Sequence, residues 1–401
     1  MREGWYDARL GDLATVQSGS GFPPKFQGNA GEAIPFYKVS DMNIVGNERT
    51  MVFQNNSITE QVRTTLGATL YPEGSVIFPK IGGAIATNKK RLTTRDCCVD
   101  NNVMGVIPNK HKIDSEFLFY FFLQYDLSNF ANEAHLPSIK KTVVEDWVLC
   151  LPKALPEQRR IVGILDKAFD GVATAKANAE TNLQNARALF QGHLQAVFQE
   201  AWKSTDLVTL SELATDITDG DHLPPPKSET GVPFITIGNI DKETRRIDFS
   251  DTFMVPHEYL KGLKANRKPK RGDVLYTVTG SFGIPVLVES DVAFCFQRHI
   301  GLIRPKPSTD SAWLNYLLLS PQVFKQANGG ATGTAQKTVS LKVLRRFTVP
   351  RVLLPHQRQA VKTLDALADE TRRLESIYRQ KLAALDGLKK SILHQAFSGQ
   401  L

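Results

Sequence analysis

An internal repeat of about 198 residues is the feature that most constrains the fold of this 401-residue chain. The segment LPKALPEQRRIV at 151–162 returns as VPRVLLPHQRQAV at 349–361. Other blocks that return in the same order are IPFYKVSDM (34–42) as VPFITIGNI (232–240), GSVIFPKIGG (74–83) as GDVLYTVTGS (272–281), NNVMGVI (101–107) as RHIGLI (298–303), and DSEFLFYFFL (114–123) as DSAWLNYLLL (310–319). The protein therefore consists of two copies of one unit.

Each copy predicts a mixed α/β domain followed by a long helix. Short strand-like runs, such as SVIFPKI and DVLYTVT, alternate with Gly, Pro and Asn turns and precede one apolar helical block. The long helix begins near Pro156 or Pro355, because proline is favoured in the first turn of a helix. The predicted class is α+β, with mixed domains at 1–150 and 205–348 and long helices at 151–204 and 349–401.

The two long helices carry apolar residues at alternating spacings of four and three. This stripe contains Ile161, Leu165, Ala168, Val172, Ala175 and Ala179 in the first helix, and Leu364, Leu367, Leu374, Tyr378, Leu385 and Leu388 in the second. Such a period requires a supercoil with a partner helix, so the sequence predicts a coiled coil. Because the register is shared, the first helix could also pair with a second copy of itself. The alternative is two amphipathic helices docked on separate cores.

The charge is divided unequally between the copies. Residues 1–200 carry 21 Lys and Arg against 21 Asp and Glu, whereas residues 201–401 carry 28 against 20, which gives the whole net charge of +8. A basic excess suits a polyanionic partner. The sequence has no long apolar run and no apolar core near its charged start, so we expect a cytoplasmic protein without a membrane span. The four cysteines form no CxxC pair, which argues against a disulfide framework or zinc site.

No catalytic motif is complete. The segment GGATGTAQKT at 329–338 lacks the order of a phosphate-binding loop, and SGSGFPP at 18–24 lacks the third glycine of a dinucleotide fingerprint. His257 and Glu258 begin a zincin motif, but Lys261 stands where the second histidine belongs. We therefore expect a protein that is not an enzyme by itself and that binds no metal.

Polar residues cluster in the loops of both mixed domains. The candidates for DNA binding are Lys80, Asn88, Lys89, Lys90, Arg91, Asn101 and Asn102 in the first copy, and Arg245, Arg246, Arg267, Lys268, Lys270, Arg271, Ser281, Arg298, Gln336 and Lys337 in the second. Arg, Lys, Asn and Gln can read base edges, and any cation can hold a phosphate. A solvated surface would have a similar composition. However, the framework repeats while the loops differ, as expected of one scaffold that reads two sequences.

The chain resembles the specificity subunits of type I restriction–modification systems. The resemblance covers essentially the whole chain. It rests on the duplicated Leu-Pro-x-x-x-Pro-Glu-Gln-Arg-Arg-Ile-Val element, the long helix after each copy, and the ending HQAFSGQL at 394–401, which HLQAVF at 193–198 partly repeats. One departure is His356, which stands where the first copy has Glu157.

This resemblance implies a specific assembly. The two domains are target-recognition domains that each read half of a split double-stranded DNA sequence, and the helices pair antiparallel about a pseudo-two-fold axis. Two modification subunits carrying S-adenosylmethionine dock on the chain, and restriction subunits that use ATP and Mg join them. The chain itself binds no cofactor. The alternative from the residues alone is a structural spacer that holds two protein-binding domains apart.

Overall fold

A computed structural model describes residues 3–223, 225–333 and 336–401. The chain divides into two compact units that cut across the repeat. The first unit combines Met1–Glu180 with Gln380–Leu401, and the second is Thr181–Arg379. Each unit therefore contains one mixed domain, the first half of the helix that follows it, and the second half of the other long helix.

The mixed domain of the first unit is built on a five-stranded sheet. Its strands are β1 (Trp5–Arg9), β2 (Ala14–Ser18), β3 (Ile34–Tyr37), β4 (Thr50–Met51), β5 (Ser57–Ile58), β6 (Val76–Pro79), β7 (Arg91–Thr93), β8 (Cys98–Val99), β9 (Val103–Pro108) and β10 (Val148–Pro152). Its short helices are α1 (Leu10–Leu13), α2 (Glu60–Leu66), α3 (Ser115–Leu123) and α4 (Lys141–Glu145). The sheet orders are β2-β9-β6-β7-β4, β5-β3-β8 and β1-β10.

Among the described residues, the second unit repeats this plan with one strand fewer. Its strands are β11 (Leu207–Thr209), β12 (Ala214–Asp219), β13 (Val232–Ile235), β14 (Phe253–Val255), β15 (Val274–Thr277), β16 (Pro285–Leu287), β17 (Cys295–Phe296), β18 (Ile300–Pro305) and β19 (Thr348–Pro350). Its short helices are α6 (Leu210–Leu213), α7 (His257–Gly262), α8 (Ser311–Leu319), α9 (Pro321–Gly330) and α10 (Leu341–Arg345). The sheet orders are β12-β18-β15-β16, β14-β13-β17 and β11-β19.

The long helices are α5 (Leu155–Ser204) and α11 (Leu354–Phe397). Both begin beside Pro156 and Pro355, as the sequence indicates, after strands β10 and β19, which pair with the first strand of their own domain. In the first unit, Arg160 contacts the carbonyl of Leu401 and Lys176 contacts Asp386, so the helices run antiparallel. The predicted α+β class with two mixed domains and two paired long helices is confirmed.

Eleven of the twelve residues of the apolar stripe are buried or half-buried. Ile161, Leu165, Val172, Ala179 and Leu364 are buried, and Ala168, Ala175, Leu367, Leu374, Tyr378 and Leu385 are half-buried. The prediction is wrong for Leu388, because 46% of its surface is exposed. The next residue, Lys389, takes the inward place and lies over the Phe169 ring. At some places on α11 the residue after the predicted one is therefore the more buried of the two. Ala368, for example, is more buried than Leu367.

The end of each long helix completes the core of the opposite repeat's domain. Leu393, Ala396 and Phe397 of α11 belong to the core of the first unit. Leu194 and Phe198 of α5 are the equivalent residues in the core of the second unit. The sequence similarity between HLQAVF and HQAFSGQL therefore reflects equivalent packing of the two helix ends in the two cores. None of the helices in the described part of the chain is long and apolar enough to cross a bilayer.

Candidate nucleic-acid interface

The repeated glutamine of the Pro-x-Gln-Arg element fixes each long helix to its own domain. The Gln158 carboxamide accepts a hydrogen bond from the Asp114 backbone N–H at 2.8 Å and donates to the carbonyls of Lys112 and Pro152. Gln357 accepts from Asp310 N–H at 2.6 Å in the second repeat. Asp114 and Asp310 cap α3 and α8, so one buried amide joins two helices and a strand end.

A tyrosine–aspartate bond repeats beside this glutamine. The Tyr120 hydroxyl donates to Asp166 at 2.5 Å, and the Tyr316 hydroxyl donates to Asp365 at 2.7 Å. In the first repeat Arg49 also reaches Asp166, at 2.9 Å, from a loop of the mixed domain. These contacts set the orientation of each mixed domain on the first half of its own helix.

Three loops meet beyond the end of β6 in the first unit, and we call this group the first polar edge: residues 18–20, 80–83 and 100–102. The Lys80 ammonium donates to the Ser18 hydroxyl at 3.0 Å, and the Lys80 N–H donates to the carbonyl of Asn102 at 2.9 Å. Gly19 permits this approach, because a Cβ there would lie 2.0 Å from the carbonyl oxygen of Asp100. The edge presents an ammonium, a hydroxyl and amide groups.

The equivalent loops of the second unit form the second polar edge: residues 219–222, 278–281 and 297–299, with Arg267 packed against them. Gly220 matches Gly19, since a Cβ there would lie 2.0 Å from the Phe296 carbonyl oxygen. Arg267 lies 3.1 Å from Asp219 and 3.8 Å from Asp221. The Arg298 N–H donates to the carbonyl of Asp221, and its guanidinium is exposed. Two aspartates thus partly neutralise this edge.

A tight turn after the central strand brings a further loop to each edge. Gly82 and Gly280 both adopt a φ of 70°, a left-handed conformation that favours glycine. The Gly82 N–H donates to the carbonyl of Pro137 at 2.7 Å, and the Gly280 N–H donates to that of Lys337 at 2.9 Å. In this way exposed Gln336 and Lys337 come next to the second polar edge.

Two predicted DNA contacts lie in the interior of the first unit. Lys90 is 3% exposed, and its ammonium donates to the carbonyl of Tyr125 and to the Asn88 side chain. Burial lowers its pKa to about 8. Arg91 is also buried and donates to the carbonyls of Lys90 and Met42. Neither cation can reach a phosphate as placed, because Arg91 lies in the buried strand β7 and Lys90 directly precedes it.

The other predicted residues divide between the edges and more distant places. At the edges lie Lys80, Asn101, Asn102, Arg267, Ser281, Arg298, Gln336 and Lys337. The residues engaged elsewhere are Asn88, Lys89, Arg245, Arg246, Lys268, Lys270 and Arg271.

Arg245 and Arg271 show why the charge clusters of the sequence separate. Burial lowers the pKa of Arg245, which lies near Tyr316, as Arg49 lies near Tyr120 in the first repeat. Arg271 lies 3.5 Å from Asp291, whereas its near neighbour Arg267 faces Asp219. Residues close in sequence therefore serve different surfaces.

Sequence reasoning missed several members of the edges, including Ser18, Asp219, Asp221 and His222. His222 lies 2.8 Å from Asp219. The signal was present, because SGS at 18–20 and DGD at 219–221 occupy equivalent places around an obligatory glycine. Aligning the repeats around that glycine would have identified both loops.

Comparison with known proteins identifies the family of the chain. Residues 2–183 and 202–383 each match the model of the type I restriction modification DNA specificity domain. The chain is similar to the specificity subunit of the Escherichia coli type I restriction enzyme EcoBI, with 21% identity over 100% of this chain and 87% of that protein.

Two solved structures share the fold. One, described as the structural basis of complex assembly and conformational transition of the type I R-M system, has a TM-score of 0.79 and 21% identity, covering 100% of this chain and 99% of that chain. The HsdS subunit of Thermoanaerobacter tengcongensis has a TM-score of 0.63 and 22% identity, covering 100% and 98%.

The chain belongs to the type I restriction–modification DNA specificity family and carries the family's domain twice. It is a non-catalytic specificity subunit whose function is recognition of a DNA target within such a complex. The resemblance inferred from the sequence is confirmed, and the alternative of a spacer between protein-binding domains is set aside.

Proposed function

We propose that the two polar edges face double-stranded DNA and that each reads one half of a split target from the major groove. The observation that supports this is that the edges repeat in backbone and differ in side chains. Both are built around the close glycine and the left-handed turn glycine. The first offers Lys80, Asn101 and Asn102, whereas the second offers Arg267, Arg298 and Gln336. Amides and guanidinium groups are the side chains that discriminate bases.

The ion pairs of the second polar edge support different roles for its two arginines in DNA binding. Asp219 and Asp221 face Arg267, so part of the positive charge of the second copy is held in internal ion pairs. A guanidinium held between carboxylates keeps a fixed direction, which suits a bidentate contact with guanine. Arg298 is more exposed and is the better candidate for a phosphate contact.

We further propose that the paired helices dock two modification subunits, which carry S-adenosylmethionine, and that restriction subunits with ATP and Mg join them in the cytoplasm. The chain supplies recognition and assembly only. The exposed apolar residues Leu189, Ile377 and Leu388 lie on the outward surfaces of the helices and are candidates for this docking. Membership of the specificity family supports this docking.

A selection from random duplexes tests the assignment of the edges. The full chain, assembled with its modification subunits, is compared with Lys80→Ala and Arg298→Ala. We expect Lys80→Ala to weaken binding or relax the preference in one half of the target only, and Arg298→Ala to affect the other half only. Each lost phosphate contact should reduce the salt slope by about 0.9.

Two controls make the test sharp. Lys110→Ala removes an exposed cation of the first unit away from the edge and should change neither half. Lys90→Met removes a buried cation and should leave target preference intact while changing stability. If Lys80→Ala and Lys110→Ala affect binding equally, or if one edge alters both halves, the assignment is wrong.

A further inference from the structure

The ion pairs between the long helices have an unusual symmetry. Lys176 of α5 pairs with Asp386 of α11 in the first unit, and Arg187 of α5 pairs with Glu375 of α11 at 2.8 Å in the second unit. Along the repeat, 199 residues separate Lys176 from Glu375 and also separate Arg187 from Asp386. The two pairs are therefore repeat equivalents of each other, with the charges exchanged.

As a result, both positions are basic on α5 and both are acidic on α11. The Lys176 ammonium holds the pKa of Asp386 below its usual value, and the bond to Glu375 raises the pKa of Arg187. The i,i+4 neighbours are exchanged as well, since α5 has Lys176 and Glu180 where α11 has Glu375 and Arg379. The apolar stripe keeps one register on both helices and carries no exchange of charge, although α5 has Ala168, Ala175 and Ala179 where α11 has Leu367, Leu374 and Tyr378.

We infer that these charges make each long helix select the other and exclude a second copy of itself. If α5 met another α5 in the observed register, Lys176 would face Arg187 of the second copy, and it would do so twice in a symmetric pair. If α11 met another α11, Glu375 would face Asp386 of the second copy. Like charges in such places oppose pairing about as strongly as the ion pairs favour it.

The size of the effect follows from exposure. The side chains are 20% to 61% exposed, so solvent screens each contact. Exchanging two attractive contacts for two repulsive ones should change the pairing constant on the order of tenfold to a hundredfold. The shared apolar register would allow the first helix to pair with a second copy of itself, and the charges oppose that pairing. The consequence rests on the function proposed above: a chain that pairs its two different recognition domains specifies an asymmetric target.

Charge exchange in the full chain tests the inference. The double variant Arg187→Glu/Asp386→Lys keeps the net charge, makes both contacts within one chain repulsive, and makes both self-pairings attractive. We expect a lower urea midpoint by circular dichroism. We also expect a dimer in sedimentation velocity at micromolar concentrations where the parent is a monomer.

The matched control is the quadruple variant that adds Lys176→Glu and Glu375→Lys, which restores attraction within the chain. It should recover the parent's urea midpoint and monomeric mass. A double variant as stable as the parent, or a quadruple variant that recovers nothing, would overturn the inference. A destabilised but strictly monomeric double variant, or a dimeric parent, would show that the charges do not exclude a second copy. No DNA enters this test, so its failure leaves the assignment of the edges untouched.

Discussion

Truncating one side chain near the carboxyl terminus should loosen the amino-terminal domain. Phe397 ends α11, yet its ring packs 4.9 Å from the Phe117 ring and 5.7 Å from the Phe121 ring in the core of the first unit. Only 8% of its surface is exposed. Replacing a buried Phe with Ala removes transfer free energy and leaves a cavity, which costs roughly 3–5 kcal/mol. We expect Phe397→Ala to destabilise the first unit by about 3 kcal/mol, because the helix end can relax.

The equivalent substitution in the first long helix should destabilise the other unit. Phe198 is fully buried in the core of the second unit, and its ring lies 6.1 Å from that of Trp313. Phe198→Ala should therefore destabilise the second unit by about 4 kcal/mol. Leu388→Ala is the control on α11 itself, since Leu388 is 46% exposed. A surface substitution of this kind should change stability by about 0.5 kcal/mol or less.

Hydrogen exchange followed by mass spectrometry distinguishes the two units. Peptides that cover α3 report on the first core, and peptides that cover α8 report on the second. We expect faster exchange in α3 for Phe397→Ala and in α8 for Phe198→Ala. In each variant, the helix of the unaffected unit should exchange at the rate seen in the parent protein. If Phe397→Ala accelerates α8 as much as α3, or leaves α3 protected, then the ends of the helices do not complete the opposite cores.

The remaining predictions concern a buried amide, a buried ammonium and a close glycine. Gln158→Ala should cost roughly 1–3 kcal/mol in urea unfolding, because it leaves two buried carbonyls and an N–H without a partner; the exposed Gln195→Ala should cost almost nothing. Burial lowers the pKa of Lys90 to about 8, so the unfolded state binds more protons above that pH. Parent stability should rise by about 2–3 kcal/mol between pH 8 and 10.5 relative to Lys90→Met, and parallel curves would contradict this. Gly19→Ala should weaken DNA binding because its Cβ meets a carbonyl, whereas Gly21→Ala meets nothing within 4 Å and should bind like the parent.

The repeat and the helices could be predicted from the sequence because their signals are local. A period of about seven residues marks the seam of paired helices wherever it occurs, and eleven of the twelve stripe residues are buried or half-buried. Leu388 keeps the spacing of the stripe and was predicted for that reason, yet it is exposed. At this point the structure turns the next residue inward, and the Lys389 ammonium lies 4.8 Å from the centre of the Phe169 ring.

The polar edges were harder to predict, because the composition of a loop does not show which of its side chains point to the surface. The run Asn88–Arg91 looks like one basic surface, but Lys90 and Arg91 enter or adjoin strand β7 and take internal acceptors. Asp219 and Asp221 were passed over because acids are not expected to face DNA. The fold places both carboxylates beside Arg267, at 3.1 Å and 3.8 Å, on the loop that the close approach of Gly220 allows.

The exchange of helix ends explains why the repeat takes the form of one chain. Each mixed domain contributes its own Gln158- or Gln357-type anchor at the start of its helix, but its core is completed by Phe397 or Phe198 from the other copy. A single copy therefore leaves an apolar gap that only a second helix end can cover. The apolar residues at these ends are interchangeable in type, so they cannot choose between partners. The charges on the helix surface therefore determine which helix pairs with which. They contribute little to stability and can be reversed without disturbing either core.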